Sequence, residues 1–321
     1  MTHVVITGAT GFIGSYVTRE FLQHGHRVLA LDAAPEPALI DGLISDEERS
    51  RVEIRPADIR DGSFLTEAIA GATAVIHLAS ALQRRSNQDP RLAVTVNCQG
   101  TLNVFESALA AGITRVVWAS SVAVFGRALL SVPVANDAAQ PASDIYGKTK
   151  SLTESIGAHF NRHYAMETVG LRFTVVYGFG RATAIGRGSV GGPVVDMVEL
   201  PATGRSAPPV RSADSELDWL HVEDAARAVY LASQSPTLTS AGLSITGERA
   251  TLRQAAGIVT ELLPGTDFDL RPGERSDPYL DAGTARNEIG YIPQIPLRTG
   301  IRRYIEQVRQ ASPGQETKVG S

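Results

Sequence analysis

The chain is poor in cysteine, lysine and methionine, with one Cys, three Lys and three Met in 321 residues. The lone Cys98 excludes an internal disulfide framework and fits a reducing cytosol. Positive charge is not in excess: 30 Lys and Arg face 34 Asp and Glu, for a net charge of −4. Neither nucleic acid nor an anionic membrane surface is therefore an expected partner. No apolar run approaches the length of a membrane span, and the N-terminus has no charged stretch leading into an apolar core and cleavage site. The expectation is a cytoplasmic globular enzyme or small-molecule binder, long enough for one large domain or two smaller ones.

What is present is an alternation. Short apolar runs at 3–8, 27–32, 52–58, 74–80, 115–121 and 168–176 are rich in Val and Ile and mostly unbroken, as strands buried on both faces should be. Helical patterns at 12–24, 63–70, 91–111 and 146–163 lie between them. This spacing predicts an α/β fold, a Rossmann-type doubly wound parallel sheet over residues 1–177. The stretch 178–192 holds six glycines and reads as a mobile loop. Residues 178–311 are expected to form mainly a smaller C-terminal substrate lobe, with about 212–247 returning to the core. The polar tail 312–321 is expected to fray.

The first strand runs into Thr7-Gly8-Ala9-Thr10-Gly11-Phe12-Ile13-Gly14, which opens the first helix. In that context Gly8 permits the turn, Gly11 lets backbone approach a pyrophosphate, and Gly14 lets helix and sheet pack closely. Free N–H groups of Phe12, Ile13 and their neighbours then meet negative charge. Asp32, at the end of the second strand, can accept hydrogen bonds from ribose hydroxyls and would repel a 2′-phosphate, which favours NAD over NADP. The competing reading is a glycine-rich turn closing an ordinary βα unit. Asp58, followed by Ile59, can contact adenine or merely cap a turn. No metal site is expected.

Tyr146-Gly147-Lys148-Thr149-Lys150 places Tyr146 and Lys150 on one helical face. With 8 tyrosines and 3 lysines, chance gives 8 × 3/321, or about 0.07 such pairs. A free tyrosine is a poor base at neutral pH. A neighbouring ammonium, together with oxidised nicotinamide, favours the phenolate and is expected to bring its pKa toward the working range. Ser121, ending the fifth strand at the carboxyl edge of the sheet, can hold a substrate oxygen. Ser120 is its closest rival, and strand-end serines often only satisfy backbone groups.

These motifs resemble the extended short-chain dehydrogenase/reductase family, also called the NAD-dependent epimerase/dehydratase family. The likeness extends through His77-Leu78-Ala79-Ser80, the segment 96–101, Leu171-Arg172-Phe173, Asp218-Trp219 and Pro272-Gly273-Glu274. It implies Ser121, Tyr146 and Lys150 as catalytic residues, with Leu78, Ala79 and Ser80 beside the cofactor. It also implies a homodimer formed through the helices at 97–110 and 146–163. Asn97 either supports the site or simply bonds backbone.

Three departures bear on chemistry. Sugar-nucleotide 4,6-dehydratases of the family typically carry Asp-Glu where this chain has Val122-Ala123, so that elimination is not expected. Nucleotide-sugar enzymes usually have Asn at Val175 and Arg at Leu217. Arg271 stands near a family phosphate-binding position, and Arg187, Arg205, Arg211 or Arg275 can compensate. The first reading is therefore an NAD-dependent dehydrogenase of a small polyhydroxy or sugar-acid substrate, with Val175, Arg187, Arg211 and Arg271 near that substrate. The alternative is a nucleotide-sugar epimerase. A third class is a cofactor sensor without turnover.

Overall fold

A computed structural model of the chain describes residues 2–126, 133–236, 238–274 and 277–312. Arg275 and the segment 313–321 lie outside the described residues. The Val- and Ile-rich runs form β1 (His3–Thr7), β2 (Arg27–Asp32), β3 (Val52–Pro56), β4 (Ala74–His77), β5 (Arg115–Ser121) and β6 (Glu167–Phe173). With β9 (Gly242–Ile245) they make a seven-stranded sheet in the order β3-β2-β1-β4-β5-β6-β9, parallel throughout. Strand order reverses between β1 and β4, and a crevice at their carboxyl ends is where such sheets bind ligands.

The apolar run 168–176 is not one strand. After Phe173, Thr174 donates its hydroxyl to Asp218 Oδ1 (2.9 Å), and β7 (Val175–Tyr177) leaves the main sheet. It pairs with β8 (Glu216–His221), which pairs in turn with β10 (Glu248–Thr251). Around this small sheet Tyr177, Met197, Trp219, Val259 and Tyr304 form a separate apolar cluster. The helix Val222–Gln234 instead packs on the main sheet, to which β9 belongs, with Ala225, Val229 and Leu243 in the cluster of Ile6 and Ile76.

Two further expectations change. The run 91–111 is a composite of Pro90–Ala93, a π-helical stretch Val94–Gly100 and Thr101–Ala110. The widened turn carries Asn97, and such turns often accompany functional sites. The glycine-rich stretch after Tyr177, read as a loop, contains a short helix, Arg181–Gly186.

His77 ties the layers together at the end of β4. Its two ring nitrogens lie 2.7 Å from Thr7 Oγ1 and 3.0 Å from Thr101 Oγ1. Burial, aided by the Lys150 charge, pushes its pKa down to about 3. A histidine held neutral in the fold takes up its proton only on unfolding. Its stabilising contribution is thus present above about pH 6.5 and is lost as pH falls toward 3. Urea unfolding should show that wild type loses about 2 kcal/mol more than His77→Gln between pH 7 and pH 5. Equal losses would mean that His77 titrates alike in both states.

Candidate active site

The helix Phe12–Gln23 begins as an anion cradle. Gly11 stands at its N-terminus with no side-chain cap, and its first-turn amides lie along a cleft of about 690 Å³. A Cβ on Gly14 would fall 2.1 Å from the Gly8 carbonyl oxygen, while one on Gly8 (φ +69°) would fall 2.6 Å from the Ala79 nitrogen. Only glycine allows these approaches, and they leave backbone donors bare toward the cleft. Asp32 lies beside them, its carboxylate held by Thr10 N (3.2 Å), Thr10 Oγ1 (2.8 Å) and Ala34 N (3.1 Å). Bare amides for a diphosphate beside a fixed carboxylate for a ribose fit a dinucleotide.

Ile13, Ile59, Leu78, Ala79 and Ser80 line the same cleft. Asp58 does too, but it accepts from the Arg60 amide (2.9 Å) and guanidinium, which hold its carboxyl below the usual range. β3 already ends at Pro56, so Asp58 caps the following turn as well as facing the cleft. Asn97 accepts from Ala81 N (2.7 Å) and Ser80 Oγ (3.0 Å) and donates to Thr149 Oγ1 (3.1 Å). Its backbone bonding and its support of the site are one arrangement: it ties the loop after β4 to the helix of Tyr146.

That helix, Ile145–Tyr164, starts at Asp144, whose side chain accepts from Gly147 N (2.8 Å). A Cβ on Gly147 would sit 2.4 Å from the Ala123 carbonyl oxygen, so glycine lets the helix press against the turn after Ser121. Ser121, Tyr146 and Lys150 thereby share the cleft wall. Ser121 Oγ accepts from Ala123 N (3.2 Å), whereas Ser120 Oγ donates to buried Glu154 (2.6 Å). Ser120 is thus committed inward, and Ser121 is the hydroxyl beside Tyr146.

Burial, joined by the Asp144 charge, pushes the Tyr146 phenol up to about 12, against the lowering influence of the Ser121 hydrogen bond and the Arg181 charge. Lys150 Nζ lies 5.6 Å from the ring centroid and donates to Ala119 O (2.8 Å). Burial lowers Lys150 to about 8. In the protein alone desolvation dominates, and the phenol holds its proton at neutral pH.

The arginines are not placed as expected. Arg211 and Arg271 do not line the cleft: they flank the bridge between Val210 and Leu270, and exposed Arg271 pairs with Asp269 at 2.8 Å. Exposed Arg205 turns to Thr203. Val175 lines the cleft, while Leu217 packs against the small lobe's core. Arg187 does line it, but at the Asp32 end. The sequence reading passed over Arg181. Only 9% exposed, it lines the cleft, donates through Nη2 to Val190 O (3.0 Å) and leaves Nε without a partner. Its signal was its place directly after Gly178-Phe179-Gly180, where the chain turns back over the sheet.

A Rossmann cleft of this kind, with Tyr146 and Lys150 on its wall, defines an NAD-dependent enzyme of the dehydrogenase or epimerase type. The chain belongs to the NAD dependent epimerase/dehydratase family, whose model matches residues 4–243. It is 28% identical to UDP-glucuronate 4-epimerase 1 of Arabidopsis thaliana, over 94% of this chain and 75% of that one. Against UDP-glucose 4-epimerase of Rhizobium leguminosarum bv. trifolii it is also 28% identical, over 93% and 95%. Among solved structures, MoeE5 in complex with UDP-glucuronic acid and NAD matches with a TM-score of 0.78 and 26% identity, covering 97% of this chain and all of that one. These relatives favour the epimerase alternative over the first reading of a dehydrogenase for free sugar acids. Among the described residues, no helix is long and apolar enough to cross a membrane.

Proposed function

We propose that this protein is an NAD-dependent 4-epimerase of an anionic nucleotide sugar, with UDP-glucuronate the first candidate. The observation that carries this reading is the buried guanidinium of Arg181, with its unpartnered Nε, in the same cleft as Tyr146. A desolvated cation on the cleft wall is complementary to a carboxylate or diphosphate oxygen. The relatives and MoeE5 supply the substrate class.

Ser121 would orient the sugar hydroxyl at C4, and Tyr146 would take its proton as C4 loses hydride. Bound NAD supplies the hydride acceptor and later donor, together with a positive charge that favours the phenolate. The oxidised sugar would have to turn in the cleft before Tyr146 gives the proton back at the end of a cycle with no net redox change. Lys150, fixed on Ala119 O, would hold the ribose and the tyrosine in register. Val122 and Ala123 line the cleft and cannot exchange protons, so 4,6-dehydration is not proposed. We place the enzyme in the cytoplasm as a homodimer, pairing through the helices Thr101–Ala110 and Ile145–Tyr164, the second of which exposes Leu152 and Tyr164. Sedimentation at micromolar concentration, giving a monomer, would refute the dimer.

Val175 and Leu217, where nucleotide-sugar enzymes of the family usually carry Asn and Arg, favour a second reading, oxidation of a free sugar acid. Incubation with UDP-glucuronate and NAD separates the two. The proposal expects the C4-inverted sugar nucleotide without net NADH absorbance. Stoichiometric NADH from a free sugar acid, with no inversion of any UDP-sugar tested, would establish the second reading.

A further inference from the structure

The structure assigns to Arg187 a role at the cofactor rather than the substrate: we propose that it is a latch that grips the dinucleotide diphosphate and slows its escape. The segment after β7 crosses the mouth of the cleft and is anchored on both walls. On one side Arg84 N donates to Gly188 O (2.9 Å), and Arg84 Nη2 donates to Ile185 O (2.9 Å). On the other, the Arg187 guanidinium reaches Ala34 O (3.0 Å), Asp32 Oδ2 (3.4 Å) and Glu36 Oε2 (3.5 Å). The same guanidinium stands over the glycine cradle, since a Cβ on Gly11 would lie 3.9 Å from Arg187 Nη1.

This placement sets two anions in competition for one cation. Asp32 Oδ2 already accepts from Thr10 N and Thr10 Oγ1, so Arg187 is its third and longest partner. A diphosphate at the bare amides beside Gly11 offers the guanidinium a second anion next to its present position, with planar oxygen pairs that suit its forked donors. Releasing the guanidinium from Asp32 also frees that carboxylate for ribose hydroxyls. Since the segment bridges both walls, a dinucleotide leaving the cleft has to part the Arg187 contacts. An ordinary exposed ion pair, by contrast, would leave cofactor affinity almost untouched. The inference needs NAD binding only and is independent of which sugar is turned over.

The test uses the full chain with Arg187→Gln, Arg187→Lys and, as a control, Arg205→Gln. The dissociation constant and release rate are measured for NADH by its fluorescence, and the affinity for adenosine, which lacks the diphosphate, by calorimetry. Arg187→Gln is expected to weaken NADH roughly 10- to 100-fold, chiefly through faster release, and to flatten the salt dependence of binding. Its affinity for adenosine should be unchanged or higher, Arg187→Lys should fall between Gln and wild type, and Arg205→Gln should match wild type. Wild-type NADH affinity and release in Arg187→Gln would overturn the latch. Equal losses for NADH and adenosine would overturn it too, by placing the effect at Asp32 and not at the diphosphate.

Discussion

Tyr146→Phe is expected to lower turnover on the order of 10³-fold, the usual loss when a positioned proton carrier is removed. That is roughly 4 kcal/mol of transition-state stabilisation. The phenylalanine ring keeps the packing against the cleft wall, and the glycine cradle and Asp32 are untouched, so NAD affinity should stay within about threefold of wild type. The sign of the pH dependence sharpens the test. Burial holds the phenol well above neutrality, at about 12 in the protein alone. A wild-type rate limited by loss of the phenolic proton should therefore rise toward alkaline pH, until Lys150, lowered to about 8, gives up its charge. The residual rate of Tyr146→Phe should lack that rising limb. Turnover near wild type, or an unchanged rising limb, would remove Tyr146 from the chemistry.

The parts of this site that sequence made legible are those whose chemistry is local. Gly8, Gly11 and Gly14 lie within one turn, and Tyr146 and Lys150 are one helical turn apart, so their spacing alone puts them on one surface. The ambiguity between Ser120 and Ser121 was not local: what bears on it is Glu154, 34 residues away, which takes the Ser120 hydroxyl. Arg187 meets Asp32 across 155 residues of sequence, and only the departure of β7 from the main sheet at Thr174 aims that segment back over the cleft. The break itself is hidden in an apolar run that reads as continuous, because Thr174 is turned by Asp218 rather than by any local breaker. Composition misleads in the same region, where six glycines suggest a loop while a helix forms between them. Spacing shows that an ammonium is near Tyr146, but not how far burial raises the phenol in the protein alone.

The second large effect concerns stability and lies directly behind the site. Glu154, one turn beyond Lys150, is paired with Arg172 of β6, both side chains being 5% exposed. Three contacts join the pair, from Arg172 Nε to both carboxylate oxygens (2.9 and 3.1 Å) and from Nη2 (2.6 Å), and Glu154 also accepts from Ser120 Oγ and Gln140 Nε2. Arg172 Nη1 donates onward to Asn136 O (2.6 Å), and Asn136 caps Gly242 O and Ser244 N of β9. The network joins the helix of Tyr146, the end of β5 and the last strand of the sheet. Arg172→Met would strand a carboxylate in that interior, at a cost of about 3–5 kcal/mol. Removing both charges, in Glu154→Leu with Arg172→Met, should recover at least about 1 kcal/mol relative to Arg172→Met, since no unpaired charge is left. Recovery will not be complete, because Ser120 and Gln140 then lose their acceptor. Denaturant unfolding of the two single variants and the double supplies the cycle. A loss below about 1 kcal/mol for Arg172→Met, or a double variant as unstable as the sum of the singles, would show that the pair is not coupled as its geometry requires. Because Ser120 adjoins Ser121, the double variant should also turn over more slowly than wild type while binding NAD normally, which locates the network's influence at the proton-handling end of the cleft.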